Sequence, residues 1–193
     1  MRLLFITATR IGDAVLSTGL LGRLIEENPG IRVTVAVGRL SAPLFAAVPG
    51  LERILVIRHW LNLWRRTALS YWDIAVDLRG SVITYAIPAG RRHVMGRKRP
   101  GLHRVEELGA LIGAEKPPAP RLWLAQAVRA RAAELLPPGA PVLAVAPAAN
   151  WMGKTWPAER FAELVRRLTA ADGILPGARI AVIGAGIAGS SLA

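Results

Sequence analysis

The sequence predicts an α/β protein built on parallel sheets, and three observations carry that prediction. Short apolar runs alternate with longer amphipathic runs along the 193 residues, the pattern of strands joined by crossover helices. The opening run, residues 2–8 (R-L-L-F-I-T-A), is apolar without alternation, as a strand covered on both faces must be. Residues 146–157 (A-P-A-A-N-W-M-G-K-T-W-P) sit between an apolar run and an amphipathic one, which makes a strand–loop–helix unit.

The elements follow in order. The first strand runs into a loop, Thr9-Arg10-Ile11-Gly12-Asp13, and residues 14–27 are helical by spacing, with Val15, Leu16, Leu20, Leu21, Leu24 and Ile25 on one side. Asp13 stands where loop meets helix. A carboxylate there can cap the helix. It also lies outside the carboxyl end of a first strand, where open α/β sheets place their ligands, and can act there as a general base. Further strands are expected at 32–37, 53–57, 74–77, 93–95, 142–146 and 178–183, and further helices at 42–48, 61–71, 82–87, 105–112, 124–136 and 158–171. Pro137-Pro138-Gly139-Ala140-Pro141 is the strongest break. It reads as a linker, 137–141, between a first domain, 1–136, and a second, 142–193. Residues 116–120 form another extended segment, placed in a loop of the first domain. Pro157 suits a first helical position because its missing N–H would have no partner there. The free N–H groups of the following turn, with Lys154, can hold an anionic oxygen.

Composition narrows the partners. With 25 basic and 13 acidic residues the chain carries a formal charge of +12, which points to an anionic partner: nucleic acid, acidic lipid or a phosphorylated sugar. The absence of cysteine removes disulfides, thiolate metal sites and cysteine nucleophiles. The histidines have no metal-ligand spacing. A strand rather than a signal peptide opens the chain, and no apolar run reaches the roughly 18 residues of a membrane span. A cytoplasmic protein is expected, with room for peripheral contact with the inner face of the cytoplasmic membrane. Residues 78–105 contain no acid but hold Arg79, Arg91, Arg92, Arg97, Lys98 and Arg104, with His93 and His103 between them. The stretch reads either as a solvated basic face or as a site for a carboxylated or phosphorylated acceptor. Trp60, Trp64 and Trp72 flank a short helix with Arg58, Arg65 and Arg66. Trp72 is expected to pack inside, whereas Trp60 and Trp64 suit packing or a membrane interface equally. Finally, Gly184-Ala185-Gly186-Ile187-Ala188-Gly189 after an apolar run matches the dinucleotide fingerprint G-x-G-x-x-G, but the confirming acid downstream is missing. A tight turn near a nucleotide is the expectation there.

R-I-G-D-A-V-L-S-T-G-L-L-G-R-L at residues 10–24 resembles the opening of glycosyltransferase family 9, the lipopolysaccharide heptosyltransferases. V-D-L-R-G-S at 76–81 looks like that family's second signature, His103-Arg104-Val105-Glu106 is similar to its His-x-Val-Glu segment, and residues 146–164 resemble its donor-site Lys-x-Trp-Pro segment. The resemblance implies a GT-B fold: a complete Rossmann-like N-terminal domain on the acceptor side and the first part of a second Rossmann-like domain for the nucleotide sugar, facing each other across a cleft. It implies inverting, metal-independent transfer of a heptose or related sugar from an ADP-sugar donor to a lipopolysaccharide core acceptor, without further cofactor and without a nucleic-acid partner. Asp13 would be the catalytic base. Asn150, Lys154, Ala149 and Gly184 would bind the donor, Ala149 through its backbone alone. Gly12, Arg10, Arg79, His103 and Arg104 would bind the acceptor. Trp151 and Met152 replace more polar residues of relatives. The family's Asp-x-Gly-x-x-His donor segment has no counterpart, so a C-terminally truncated chain of low activity is expected. Two other classes stand beside this one: a non-catalytic anion-binding Rossmann-like module, and an NAD-dependent oxidoreductase fragment resting on Gly184 and Gly189.

Overall fold

A computed structural model describes residues 1–96, 101–149 and 152–184. Contacts divide the chain into two compact units, Met1–Gln126 and Ala127–Ala193. The elements are β1 (Arg2–Ile6), α1 (Ile11–Glu27), β2 (Arg32–Val37), β3 (Leu51–Val56), α2 (Trp60–Thr67), β4 (Trp72–Asp77), β5 (Ala89–Val94), α3 (Arg104–Leu111), α4 (Gln126–Leu135), β6 (Val142–Val145), α5 (Ala158–Thr169) and β7 (Arg179–Val182). Every strand expected from the sequence is present.

In the first unit five parallel strands are ordered β3-β2-β1-β4-β5. The order reverses direction at β1, so β1 and β4 flank a topological switch point, the place where such sheets open a ligand crevice at their carboxyl ends. Ile6 lies opposite Asp77 in the register, and Leu78 N–H continues the ladder to Ile6 O at 2.9 Å.

Both faces of the sheet are covered, which is why its central strands are largely apolar. Leu3 and Phe5 of β1 pack with Leu20 and Leu21 of α1, Phe45 and Leu108 of α3 in one core. Leu4 and Ile6 point to the other face and pack with Leu63 of α2, Ile83, Ile87 and Trp72. Trp72 is fully buried, as expected, with its indole N–H donating to Thr67 O at 3.0 Å.

Three local details differ from the sequence reading. Helix α1 starts at Ile11, ahead of the expected Ala14. Its first turn is largely exposed, so the buried-face periodicity begins only at Ala14. Residues Arg39–Phe45 and Val82–Tyr85 are 3-10 helices rather than α-helices. Pro43 lies within the first and interrupts an α-helical ladder. Pro157 is the N-cap of α5 rather than its first residue.

Residues 115–123 form a strap across α1 and α3. An added Cβ at Gly19 would stand 2.3 Å from the backbone oxygen of Pro118, so only glycine permits this approach, and the Arg121 side chain lies over Gly22. Arg121 N–H donates to Thr18 Oγ1 at 2.9 Å, its guanidinium pairs with Glu26, and Trp123 packs against the core.

The second unit holds the parallel pair β6–β7, a 3-10 turn at Met152–Lys154 and α5. Helix α4 has no buried residue. The contact division falls at its start, ahead of the Pro-rich segment 137–141.

Candidate active site

The carboxyl edge of the first sheet gathers several of the residues singled out in the sequence. Arg10 is the N-cap of α1, extended at φ −83° and ψ 137°, and no side chain caps the helix. The first intrahelical bond is Ala14 N–H to Arg10 O at 3.0 Å. The N–H groups of Ile11, Gly12 and Asp13 therefore have no partner in the helix, and they sit at its positive end. Asp13 is half-buried in this first turn. Among the described residues its carboxylate takes no hydrogen bond and no ion pair, so capping does not account for it. A Cβ at Gly12 would meet nothing within 4 Å, leaving open space beside the carboxylate.

The loop is fixed from below. Thr7 Oγ1 and Ser17 Oγ lie 2.7 Å apart, Ser17 donates to Ala14 O at 2.7 Å, and Ser41 Oγ donates to Thr9 O at 3.2 Å. The loop after β2 presses on it as well, since a Cβ at Gly38 would lie 2.6 Å from Thr9 Cα.

Across the switch point, the loop after β4 is organised by Asp77, a residue that sequence reasoning left without a role. Its carboxylate is fully buried. Oδ1 accepts from Arg79 N–H at 2.8 Å, and Oδ2 accepts from Ser81 N–H at 3.0 Å, Thr84 Oγ1 at 2.8 Å and Ser81 Oγ. Gly80 turns the loop at φ +64°. Arg79 is thereby held at the crevice with its guanidinium exposed and, among the described residues, unpaired. The available signal was an Asp closing an apolar strand with Gly-Ser just beyond it, the pattern of an Asx-turn.

The other basic residues are mostly engaged in structure. His103 caps α3: its Nδ1 accepts from Val105 N–H at 3.3 Å while Glu106 accepts from His103 N–H at 2.8 Å, a capping box. Arg104 pairs with the nearly buried Glu107 at 3.0 Å. Arg92 spends its fork on the carbonyls of Thr84, Ile87 and Ala89, and His93 Nδ1 lies 3.1 Å from Leu111 O. Arg97 and Lys98 fall outside the described residues.

In the second unit the loops after β6 and β7 meet. Gly184, at φ +116°, is so placed that an added Cβ would lie 3.2 Å from Ala148 Cβ. This brings Gly184 beside Ala149 at the carboxyl edge of the pair. Lys154 is exposed at the end of the 3-10 turn and has no partner among the described residues. Trp156 packs edge-on against Phe161, with ring centroids 5.0 Å apart. The first bond of α5 is Arg160 N–H to Pro157 O at 3.1 Å, so the N–H groups of Ala158 and Glu159 are free of the helix. An open hollow of about 220 Å³ on α5 is lined by Trp156, Arg160, Glu163, Leu164 and Arg167. Hydrogen bonding from Arg167, then the charge of Arg166, holds the Glu163 carboxyl below its ordinary value. Asn150 and residues 185–189 of the glycine run lie outside the described residues. Among the described residues no cluster of His, Asp and Glu is placed to hold a metal ion, and no helix is long and apolar enough to cross a membrane.

Comparison with solved structures finds the same fold. E. coli heptosyltransferase WaaC with ADP-2-deoxy-2-fluoro heptose is 19% identical with a TM-score of 0.65, over 100% of this chain and 71% of that one. The glycosyl transferase family 9 protein of Veillonella parvula DSM 2008 is 15% identical with a TM-score of 0.76, over 99% of this chain and 64% of that one. E. coli ADP-heptose lps heptosyltransferase II is 18% identical with a TM-score of 0.70, over 100% and 68%. The likeness shows the fold, an α/β architecture of the GT-B type, and the chain spans between 64% and 71% of the length of these proteins. No curated protein matches the chain. The family model for glycosyltransferase family 9 (heptosyltransferase) matches residues 62–181, a span reaching from helix α2 of the first unit to strand β7 of the second, and with that match the chain belongs to glycosyltransferase family 9.

Proposed function

We propose that the protein transfers a heptose or closely related sugar from an ADP-sugar to an anionic acceptor of the lipopolysaccharide core, in the cytoplasm, with inversion at the anomeric carbon and without a metal ion. The family assignment supports sugar transfer, and solved relatives hold ADP and an ADP-heptose analogue. The observation that carries the mechanism is Asp13: a half-buried carboxylate in the first turn of α1, at a switch point, with no partner among the described residues and open space beside it.

In this reading Asp13 accepts the proton of the acceptor hydroxyl as that oxygen attacks the anomeric carbon and the bond to the diphosphate breaks. Lys154 and the free N–H groups at the start of α5 stabilise the charge that develops on the leaving diphosphate. The backbone of Ala149, the side chain of Asn150 and the turn at Gly184 complete the donor site. Arg10, Arg79 and the open face at Gly12 hold the acceptor's anionic groups, and His103 and Arg104, at the start of α3, add to them. Arginine forks suit carboxylate and phosphate.

Asp13→Asn tests the role directly. Transfer should fall by about 10²- to 10⁴-fold, the worth of a positioned base, while titration with ADP shows unchanged affinity. Near-normal turnover would remove Asp13 from the role. Loss of ADP binding would make its effect structural.

A further inference from the structure

Just beyond strand β1 a buried polar pair faces the second turn of α1, and the fold alone does not require it. Thr7 and Ser17 are 0% and 1% exposed, and their hydroxyl oxygens lie 2.7 Å apart. Ser17 Oγ–H is spent on Ala14 O at 2.7 Å, so within the pair Thr7 donates and Ser17 accepts. Such a pair adds little to stability. Replacing both partners of a buried hydrogen bond by apolar groups of the same shape is close to neutral. What the pair adds is direction, since a hydrogen bond constrains both length and angle, whereas an apolar contact lets surfaces slide.

That direction is imposed at Asp13. Residues four apart on a helix share a face, one turn from each other, so Asp13 stands one turn above Ser17. In the helical ladder Ser17 N–H faces the Asp13 carbonyl, and Ser17 Oγ–H holds the next carbonyl, Ala14 O. Thr7 belongs to the sheet, where its N–H donates to Ala36 O at 2.9 Å. A chain of bonds therefore runs from the sheet through Thr7 and Ser17 to the backbone that carries Asp13. Little else orients this turn. No side chain caps α1, Ile11 is 50% exposed, and a Cβ at Gly12 would touch nothing. Ala14 is buried in the core, but one methyl group sets no rotation. The strap grips the helix only further along, at Thr18 and Gly19.

We propose that Thr7 and Ser17 are positioning residues for sugar transfer: their hydrogen bond fixes the rotation of the first turns of α1 on the sheet and so aims the Asp13 carboxylate at the acceptor hydroxyl. The inference rests on Asp13 being the base.

Thr7→Val combined with Ser17→Ala, made in the full chain, removes the bond and keeps the shape. The combined variant should melt with the parent. Its kcat should nevertheless fall about ten- to a hundredfold, the scale of a small misplacement, with the acceptor KM and the affinity for ADP unchanged. Thr7→Ser, which keeps the hydroxyl, should turn over as the parent does. Native-state hydrogen exchange, which needs no turnover, should show the amides of residues 15–18 opening about tenfold faster in the combined variant while those of β1 and β4 are unaffected. In an Asp13→Asn background the two changes should have no further effect on turnover, because they act through a carboxylate already gone. The proposal falls if the combined variant keeps the parent's kcat, if its effect multiplies with that of Asp13→Asn, or if exchange at residues 15–18 does not change. It falls as a merely structural effect if the melting point drops and kcat follows it. The same holds if Thr67→Val, which removes a buried hydroxyl from α2, lowers kcat as much. Normal turnover in Asp13→Asn alone would remove the base and this inference with it. Loss of turnover there, with none in the combined variant, would remove this inference only.

Discussion

Asp77 sits at 0% exposure with four donors on its two oxygens; three belong to Arg79 and Ser81 of the turn that presents Arg79, and the fourth is Thr84 of the 3-10 helix that follows. Replacing the carboxylate by an amide removes the charge that these bonds share and turns one acceptor into a donor. Asp77→Asn should therefore cost about 2–3 kcal/mol in chemical denaturation, the scale of a hydrogen-bonded charge. It should also weaken acceptor binding more than ADP binding. The glycines of α1 offer a second comparison. Gly12 faces open space, whereas a Cβ at Gly19 would press into Pro118 O. Gly12→Ala should leave stability unchanged or raise it by about 0.5–1 kcal/mol, as for any exposed helical glycine. If the acceptor uses that space, the same change should raise its KM. Gly19→Ala should cost about 1–3 kcal/mol through overpacking. Thermal melts of the pair distinguish the two positions. At this scale residue type made Asp13 and Arg79 candidates, and the structure leaves both side chains unpaired among the described residues. The sequence was unreadable where only a neighbour decides the matter. Nothing local distinguishes Gly12 from Gly19, or shows that Arg92 spends its donors on carbonyls.

Element boundaries follow a similar rule. Strands β1, β2 and β4 were legible because a strand covered on both faces is largely apolar, whereas the basic, exposed edge strand β5 starts at Ala89, four residues ahead of the expected His93. The start of α1 was not legible, because its first turn is largely exposed and contributes nothing to the apolar periodicity. The 3-10 segments were read as α-helices since runs so short do not reveal their pitch. Helix α3 shows a motif with a structural use of its own. His103-Arg104-Val105-Glu106 reads as an acceptor segment, and the structure also uses it as a capping box. Glu106→Ala should cost about 1 kcal/mol by removing one half of that box, visible as a lower denaturation midpoint with an unchanged slope.

At the scale of the molecule the two units differ in how much they bury. The first holds two core layers on either side of its sheet. In the second, α4 and α5 have no buried residue, and among its described strand residues only Val145 is buried. Native-state hydrogen exchange should show the amides of β1 and β4 opening last and those of β6 and β7 much earlier, since protection tracks buried contact. Equal protection in both units would contradict this. The strand order could not be read from the chain, because pairing β1 with β4 joins residues far apart in sequence, and a one-dimensional pattern carries no trace of which strand lies beside which.

The strap across α1 and α3 has a practical consequence. Its prolines restrict the backbone before docking, and its last anchors, Arg121 and Trp123, seal the first unit just ahead of the chain's departure from it. A protease cutting within residues 127–140, where the described side chains are exposed, should release a fragment that keeps its native melt. Expression of residues 1–126 alone should then yield a crystallisable piece.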